Sequence, residues 1–160
     1  MKVIIGIDPG NSGGIAILNG DGTYLAMRAF SSLTEQDIWA WLYNQESAWC
    51  RSITPEHPVA RARHAYIEDV HAMPKQGVSS TFKFGMSYGL LRGILTALLI
   101  PFETVRPQVW QKAMGCLSKG DKRVTKAKAQ QLFPELPVTH AVADALLIAE
   151  YGRRLRMSQE

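Results

Sequence analysis

Cysteine is scarce in this sequence, with two residues among 160, Cys50 and Cys116. They lie far apart without CxxC spacing, which leaves neither a disulfide scaffold nor a structural zinc site. Long apolar runs are missing too. The most apolar stretch, Leu90 to Phe102, is interrupted by Arg92 and falls short of the roughly 20 residues that cross a bilayer. It reads as a core helix running into a strand. The opening MKVIIGIDPG has one lysine and a short apolar run ending at Asp8, without the extended apolar region or small-residue cleavage site of a secretory signal. No repeat or low-complexity segment occurs. These absences exclude a membrane partner and an exported disulfide module, and make a reducing cytoplasm the expected compartment.

What is present fits one globular domain spanning residues 1–160. At 46% hydrophobic and 20% charged residues, the composition is that of an ordinary folded domain, large enough to bury roughly 70% of its unfolded surface. The net charge is only +4, but it is unevenly spread. Between Arg106 and Lys128 stand seven basic residues (Arg106, Lys112, Lys119, Lys122, Arg123, Lys126 and Lys128) and one acid, Asp121, a local +6. Clustered basicity of this kind suits a polyanionic partner as well as a solvated helix face. Lys75, Lys83 and Arg92 offer a second basic path.

Residues 2–7 form an apolar, β-rich run, the turn-forming PGNSGG follows Asp8, and IAIL resumes the apolar pattern, which predicts a hairpin. Asn19-Gly20-Asp21-Gly22 is a tight-turn signal, so Thr23 to Phe30 becomes the third strand of a meander. Ile38, Trp41, Leu42 and Tyr43 recur at helical spacing behind Thr34, a good N-cap. The polar stretch from Arg51 to His64 is a loop, and a fourth strand covers Ala65 to Glu68. A helix capped by Ser79 or Ser80 reaches about Leu99, and a fifth strand ends at Val105. Helices near Pro107–Met114, Lys122–Phe133 and His140–Arg154 complete the chain. The pattern is α/β, a five-stranded mixed sheet with helices on both faces.

Asp8 and Glu68 each end an apolar strand, where an isolated carboxylate is costly unless paired, hydrogen-bonded or bound to metal. Neighbouring parallel strands place two such ends within a few ångströms. In the last helix His140 and Asp144 stand four apart on one face behind Thr139 as N-cap, with Val142, Leu146 and Ala149 opposite. Three carboxylates and a histidine so gathered form a hard-oxygen site of the kind that holds Mg²⁺ or Mn²⁺. A pair of such ions serves phosphodiester cleavage.

The three segments GIDPGNSGGIAIL, YIEDV and THAVADALLIAEYGRR, in this order, resemble the RuvC family of Holliday-junction resolvases, especially its short phage-borne members, within the RNase H-like nuclease superfamily. The resemblance implies an RNase H-like fold and a Mg²⁺-dependent endodeoxyribonuclease that nicks four-way or branched DNA in symmetric pairs as a homodimer. It also implies that Asp8, Glu68 and Asp144 bind metal, with His140 in the place of a fourth acid. Basic residues between the fifth strand and the last helix would contact junction phosphates, with Lys112, Lys119 and Lys122 foremost and Arg123 and Lys126 beside them. An aromatic stacks on crossover bases in bacterial members; here that position holds His71, with Phe82 and Phe84 further on.

Gly85, Gly89 and Gly93 share one stripe of their helix, for packing on the sheet or at a dimer contact. Trp39, Trp41, Trp49 and Trp110 are core residues or base-stacking platforms. Two other functions fit parts of the sequence. Asp-x-Gly with Gly13 and Gly14 matches the phosphate hairpin of actin-like kinases and ATPases, which need two such domains, and a degenerate site would leave a non-catalytic junction-binding module.

Overall fold

The computed structural model describes residues 3–51, 63–71 and 77–158, with side chains described throughout these except at 46–51. Most of the expected loop between Arg51 and His64, the position of Lys75, and the side chains of Trp49 and Cys50 lie outside the described residues. Five strands, β1 (Val3–Asp8), β2 (Gly14–Asn19), β3 (Tyr24–Ala29), β4 (Arg63–Glu68) and β5 (Phe102–Val105), form one sheet in the order β3-β2-β1-β4-β5. The first three pair antiparallel, as the meander predicts, while β4 runs parallel to both β1 and β5. The helices are α1 (Glu35–Arg51), α2 (Val78–Ala97), α3 (Pro107–Ala113), α4 (Lys122–Leu132) and α5 (His140–Met157).

Side chains alternate across a strand, and β1 is buried on both faces. Ile5 and Ile7 enter a core with Ile15, Ile17 and Ile67 under Leu42 of α1 and Leu91, Ile94 and Leu95 of α2. Ile4 enters the opposite core with Leu18 and Tyr66, beneath Trp110, Ala129 and residues 142–149 of α5. Helices therefore cover both faces, as expected.

Gly6 faces α5, and its bare Cα is what lets that helix approach. A Cβ there would overlap the Ala145 carbonyl oxygen and the Ala149 nitrogen. The helix backbone thus rests directly on the strand that ends in Asp8. Between the two strands of the hairpin, a Cβ on Gly13 would overlap the Asp8 backbone, and one on Gly14 would lie 2.9 Å from the Ala141 carbonyl oxygen. Both glycines serve close packing around Asp8 and α5.

Three local expectations need revision. The N-cap of α2 is Gly77, whose extended backbone (φ −62°, ψ 141°) begins the helix without a side-chain bond, so Ser79 and Ser80 fall inside the first turn. Thr139 does cap α5 in position, but its side chain makes no capping bond. At Gly85, Gly89 and Gly93 an added Cβ would meet nothing within 4 Å, so packing on the sheet does not account for the stripe. Thr34 behaves as predicted: its hydroxyl accepts the Asp37 N–H at 3.2 Å, and Asp37 accepts the Thr34 N–H at 2.9 Å.

Candidate active site

Register decides where the first two carboxylates meet. Ile7 of β1 pairs with Ile67 of β4, so the next residues, Asp8 and Glu68, leave the sheet side by side at the carboxyl ends of two parallel strands. The seating of α5 on Gly6 brings Asp144, one turn into that helix, to the same point. Asp8 and Asp144 are buried at 6% and 8% exposure.

Each acid is held differently. Asp8 accepts the Gly10 N–H at 3.1 Å. Glu68 accepts the indole N–H of Trp110 at 2.9 Å, from a ring that is fully buried. Trp110 is thus the core residue that aims Glu68 and not a base-stacking platform. Asp144 Oδ1 is buried with no hydrogen-bond partner. The Lys122 ammonium, at the first residue of α4, stands 3.9 Å from Asp8 Oδ2 and 4.0 Å from Asp144 Oδ2.

The electrostatics follow from crowding three acids into a desolvated corner. Burial, then the charges of Asp8 and Asp144, push Glu68 up to about 7, against the opposing pull of the Trp110 hydrogen bond and Lys122. Burial also raises Asp8, opposed by the Gly10 N–H and Lys122 and reinforced by Asp144. Asp8 and Glu68, which burial makes reluctant to ionise, and the orphaned Asp144 oxygen beside them form an oxygen-only donor set suited to a hard divalent cation. Asp8, Glu68 and Asp144 fit such an ion. As they stand, no three His, Cys, Asp or Glu side chains among the described residues close into a chelating group, and the Lys122 ammonium stands against two of the acids.

The strain on Glu68 predicts a pH signature of the metal-free fold. Its pKa rises on folding from an ordinary 4.5 to about 7, so protonation favours the fold. That stability is complete below about 4.5 and is lost as pH climbs through 7. One such shift is worth at most about 3 kcal/mol. His64, whose burial lowers its pKa, acts in the opposite direction because the unfolded chain takes up its proton first. In chelator, wild type should therefore lose more stability than Glu68→Gln between pH 5 and pH 8, as read by thermal melting. Equal losses would remove Glu68 from the buried cluster.

The remaining expected site residues are distributed as follows. His140 is exposed at the start of α5. His71 is 72% exposed with Nε2 3.3 Å from Asp69, and Phe82 projects from α2 at 68% exposure. Lys112 and Lys119 are exposed and Lys126 is half-buried. Lys119 holds a left-handed backbone (φ 48°) that glycine adopts at lower cost. The Arg123 guanidinium is forked onto Asp121 at 2.9–3.2 Å, which spends part of its charge locally. Among the tryptophans, Trp39 stacks on Tyr43 with ring centroids 5.1 Å apart. The sequence reading missed Trp110 as the partner of Glu68. Its only signal was the rule that a buried indole N–H seeks an acceptor.

Sheet order and the helix layers define an α/β fold, a five-stranded mixed sheet covered by helices on both faces. The chain is similar to Thermus thermophilus RuvC in complex with Holliday junction substrate, with a TM-score of 0.65 and 17% identity over 98% of this chain and 96% of that one. A second T. thermophilus RuvC structure is similar with a TM-score of 0.61, again at 17% identity and the same coverage. No family model and no curated protein matches the sequence. Among the described residues no helix is long and apolar enough to cross a membrane.

Proposed function

We propose that this chain is a divalent-metal-dependent endonuclease that nicks four-way or otherwise branched DNA, working as a homodimer on two symmetric phosphates. The observation that carries the reading is the meeting of Asp8, Glu68 and Asp144 at the carboxyl edge of β1 and β4, with one Asp144 oxygen buried and unpartnered. Mg²⁺, or Mn²⁺ in its place, would be held by these three acids, with exposed His140 completing the set, and would activate water and stabilise the leaving oxygen. Asp8 and Glu68 set the geometry from rigid strand ends, and Trp110 fixes the rotamer of Glu68. A groove of about 390 Å³ lies next to this edge, between the loop after Asp8 (Pro9, Gly10, Asn11), the segment 30–38 and α2 (Lys83, Met86, Ser87), and the three acids do not line it. The T. thermophilus structure holds a Holliday junction, which favours branched DNA as the substrate class here.

A nicking assay on a four-way junction beside linear duplex, with Mg²⁺ and then with chelator, tests this reading. Cleavage of the junction alone, and only with metal, is expected. Binding without nicking would favour a non-catalytic module, and nucleotide hydrolysis without nicking would favour the kinase-like reading. For the dimer, the outer face of α2 supplies a surface: Gly85, Gly89 and Gly93 are open, with Phe82 and Met86 exposed beside them. Sedimentation of the free protein at twice the chain mass is the expected result.

Two further outcomes follow. Lys112→Ala with Lys119→Ala should weaken junction binding and flatten the dependence of log K on log salt by about 0.9 for each phosphate no longer neutralised. An unchanged slope would move the DNA path to Lys83 and Arg92. His140→Ala should slow nicking and His140→Asp should partly restore it, because an acid can replace imidazole toward a hard cation. Wild-type rates in the alanine variant would leave His140 as a solvated helix-end residue.

A further inference from the structure

Among the described residues the Lys122 ammonium is the one cation that pairs with acids of the site, at 3.9 Å from Asp8 and 4.0 Å from Asp144. Its side chain is half exposed, whereas the Asp8 and Asp144 side chains are 8% and 12% exposed. It stems from the first residue of α4, behind the N-cap Asp121, whose carboxylate accepts the Arg123 N–H and fixes that helix end. A long, flexible arm rooted at a fixed point can therefore lay its charge on the acids or withdraw it into solvent.

We propose that Lys122 is a tethered counter-ion of the carboxylate site: it neutralises Asp8 and Asp144 while no divalent cation is bound and is displaced when one arrives. Resting on the metal-site reading above, this assigns Lys122 a role distinct from that of the other lysines of the basic segment. The physical basis is competition. An ammonium about 4 Å from two desolvated carboxylates offsets their repulsion, but it also repels an arriving dication, and the two positive charges cannot share one position. The exposed stem gives the displaced ammonium a path outward, where a DNA phosphate can receive it. Metal binding and phosphate binding would then assist one another, since each favours the withdrawn arm.

The test uses the full chain without DNA. Isothermal titration with Mn²⁺, and separately with Mg²⁺, is run on wild type, Lys122→Gln, Lys122→Arg and Lys128→Gln, the last removing an equal charge further along α4. Lys122→Gln should bind either ion about three- to tenfold more tightly than wild type. Lys122→Arg and Lys128→Gln should stay within about twofold of wild type. In chelator, Lys122→Gln should melt below wild type, and it should gain more than wild type when Mn²⁺ is added. A Lys122→Gln chain that folds only with Mn²⁺ would be the same result in stronger form. Equal or weaker ion binding by Lys122→Gln, with binding by wild type intact, overturns the counter-ion role and leaves Lys122 as a phosphate contact. Absence of binding in every variant instead overturns the metal-site reading itself, and this inference with it.

Discussion

Asp8→Asn, Glu68→Gln and Asp144→Asn should each lower junction nicking by about 10²–10³-fold or more while leaving junction binding within a few fold of wild type. Each change removes one negative charge and keeps side-chain volume, so the packing around β1, β4 and α5 survives. What is lost is the charge that holds a cation against the reacting phosphate. Binding should persist because the lysines proposed to contact phosphate are on other elements: Lys112 on α3, and Lys119 on the loop before α4. The three variants should also separate in stability. Neutralising Glu68, which burial and its neighbours hold at about 7, relieves repulsion in the metal-free chain. Asp8→Asn instead disturbs a carboxylate that accepts the Gly10 N–H and closes the hairpin turn. Quantitative nicking of a labelled junction, with binding measured in Ca²⁺ or chelator, checks both halves. Near-normal nicking by any one variant would remove that residue from the site.

Much of this arrangement was legible in the sequence because its signals are local. The apolar run VIIGID, the Asn-Gly-Asp-Gly turn and the helical spacing in α5 each report on a few neighbouring residues, and together they predict a meander and a mixed sheet covered by helices. Asp8 and Glu68 were found because a charge at the end of an apolar strand needs a partner. What stayed hidden depends on contacts between distant segments. Trp110 meets Glu68 across 42 positions of sequence, and nothing in Pro107–Ala113 announces that its indole will point at an acid. Lys122 read as one of three foremost phosphate contacts, because composition cannot say which ammonium turns inward to the acids. The α2 glycines read as packing on the sheet or as a dimer contact, and only three-dimensional space shows that, among the described residues, nothing lies within 4 Å of a Cβ added to them. Gly6 drew no notice at all, as a lone glycine in a strand, although the site depends on it.

That dependence makes Gly6 the place where fold and site can be broken together. Gly6→Ala adds a single carbon, yet the atoms it would overlap are the Ala145 carbonyl oxygen and the Ala149 nitrogen, both backbone of α5, so no rotamer change relieves the clash. Ile5→Val, one residue earlier in the same strand and fully buried, removes a single carbon and should cost about 0.5–1.5 kcal/mol. Adding the carbon should cost more than deleting one: about 3 kcal/mol or above, or a melting temperature lower by about 6–12 °C for a chain of this size. The helix can escape only by lifting or sliding off β1, and it carries Asp144 with it. Gly6→Ala should therefore lose divalent-cation affinity about tenfold or more, because weakening the coordination by roughly 1.4 kcal/mol suffices for that, while Ile5→Val keeps the wild-type value. Thermal melting and cation titration on the two variants, side by side, decide the matter. If Gly6→Ala proved the milder substitution, α5 would not rest on β1 as described, and the position of Asp144 beside Asp8 would need another cause.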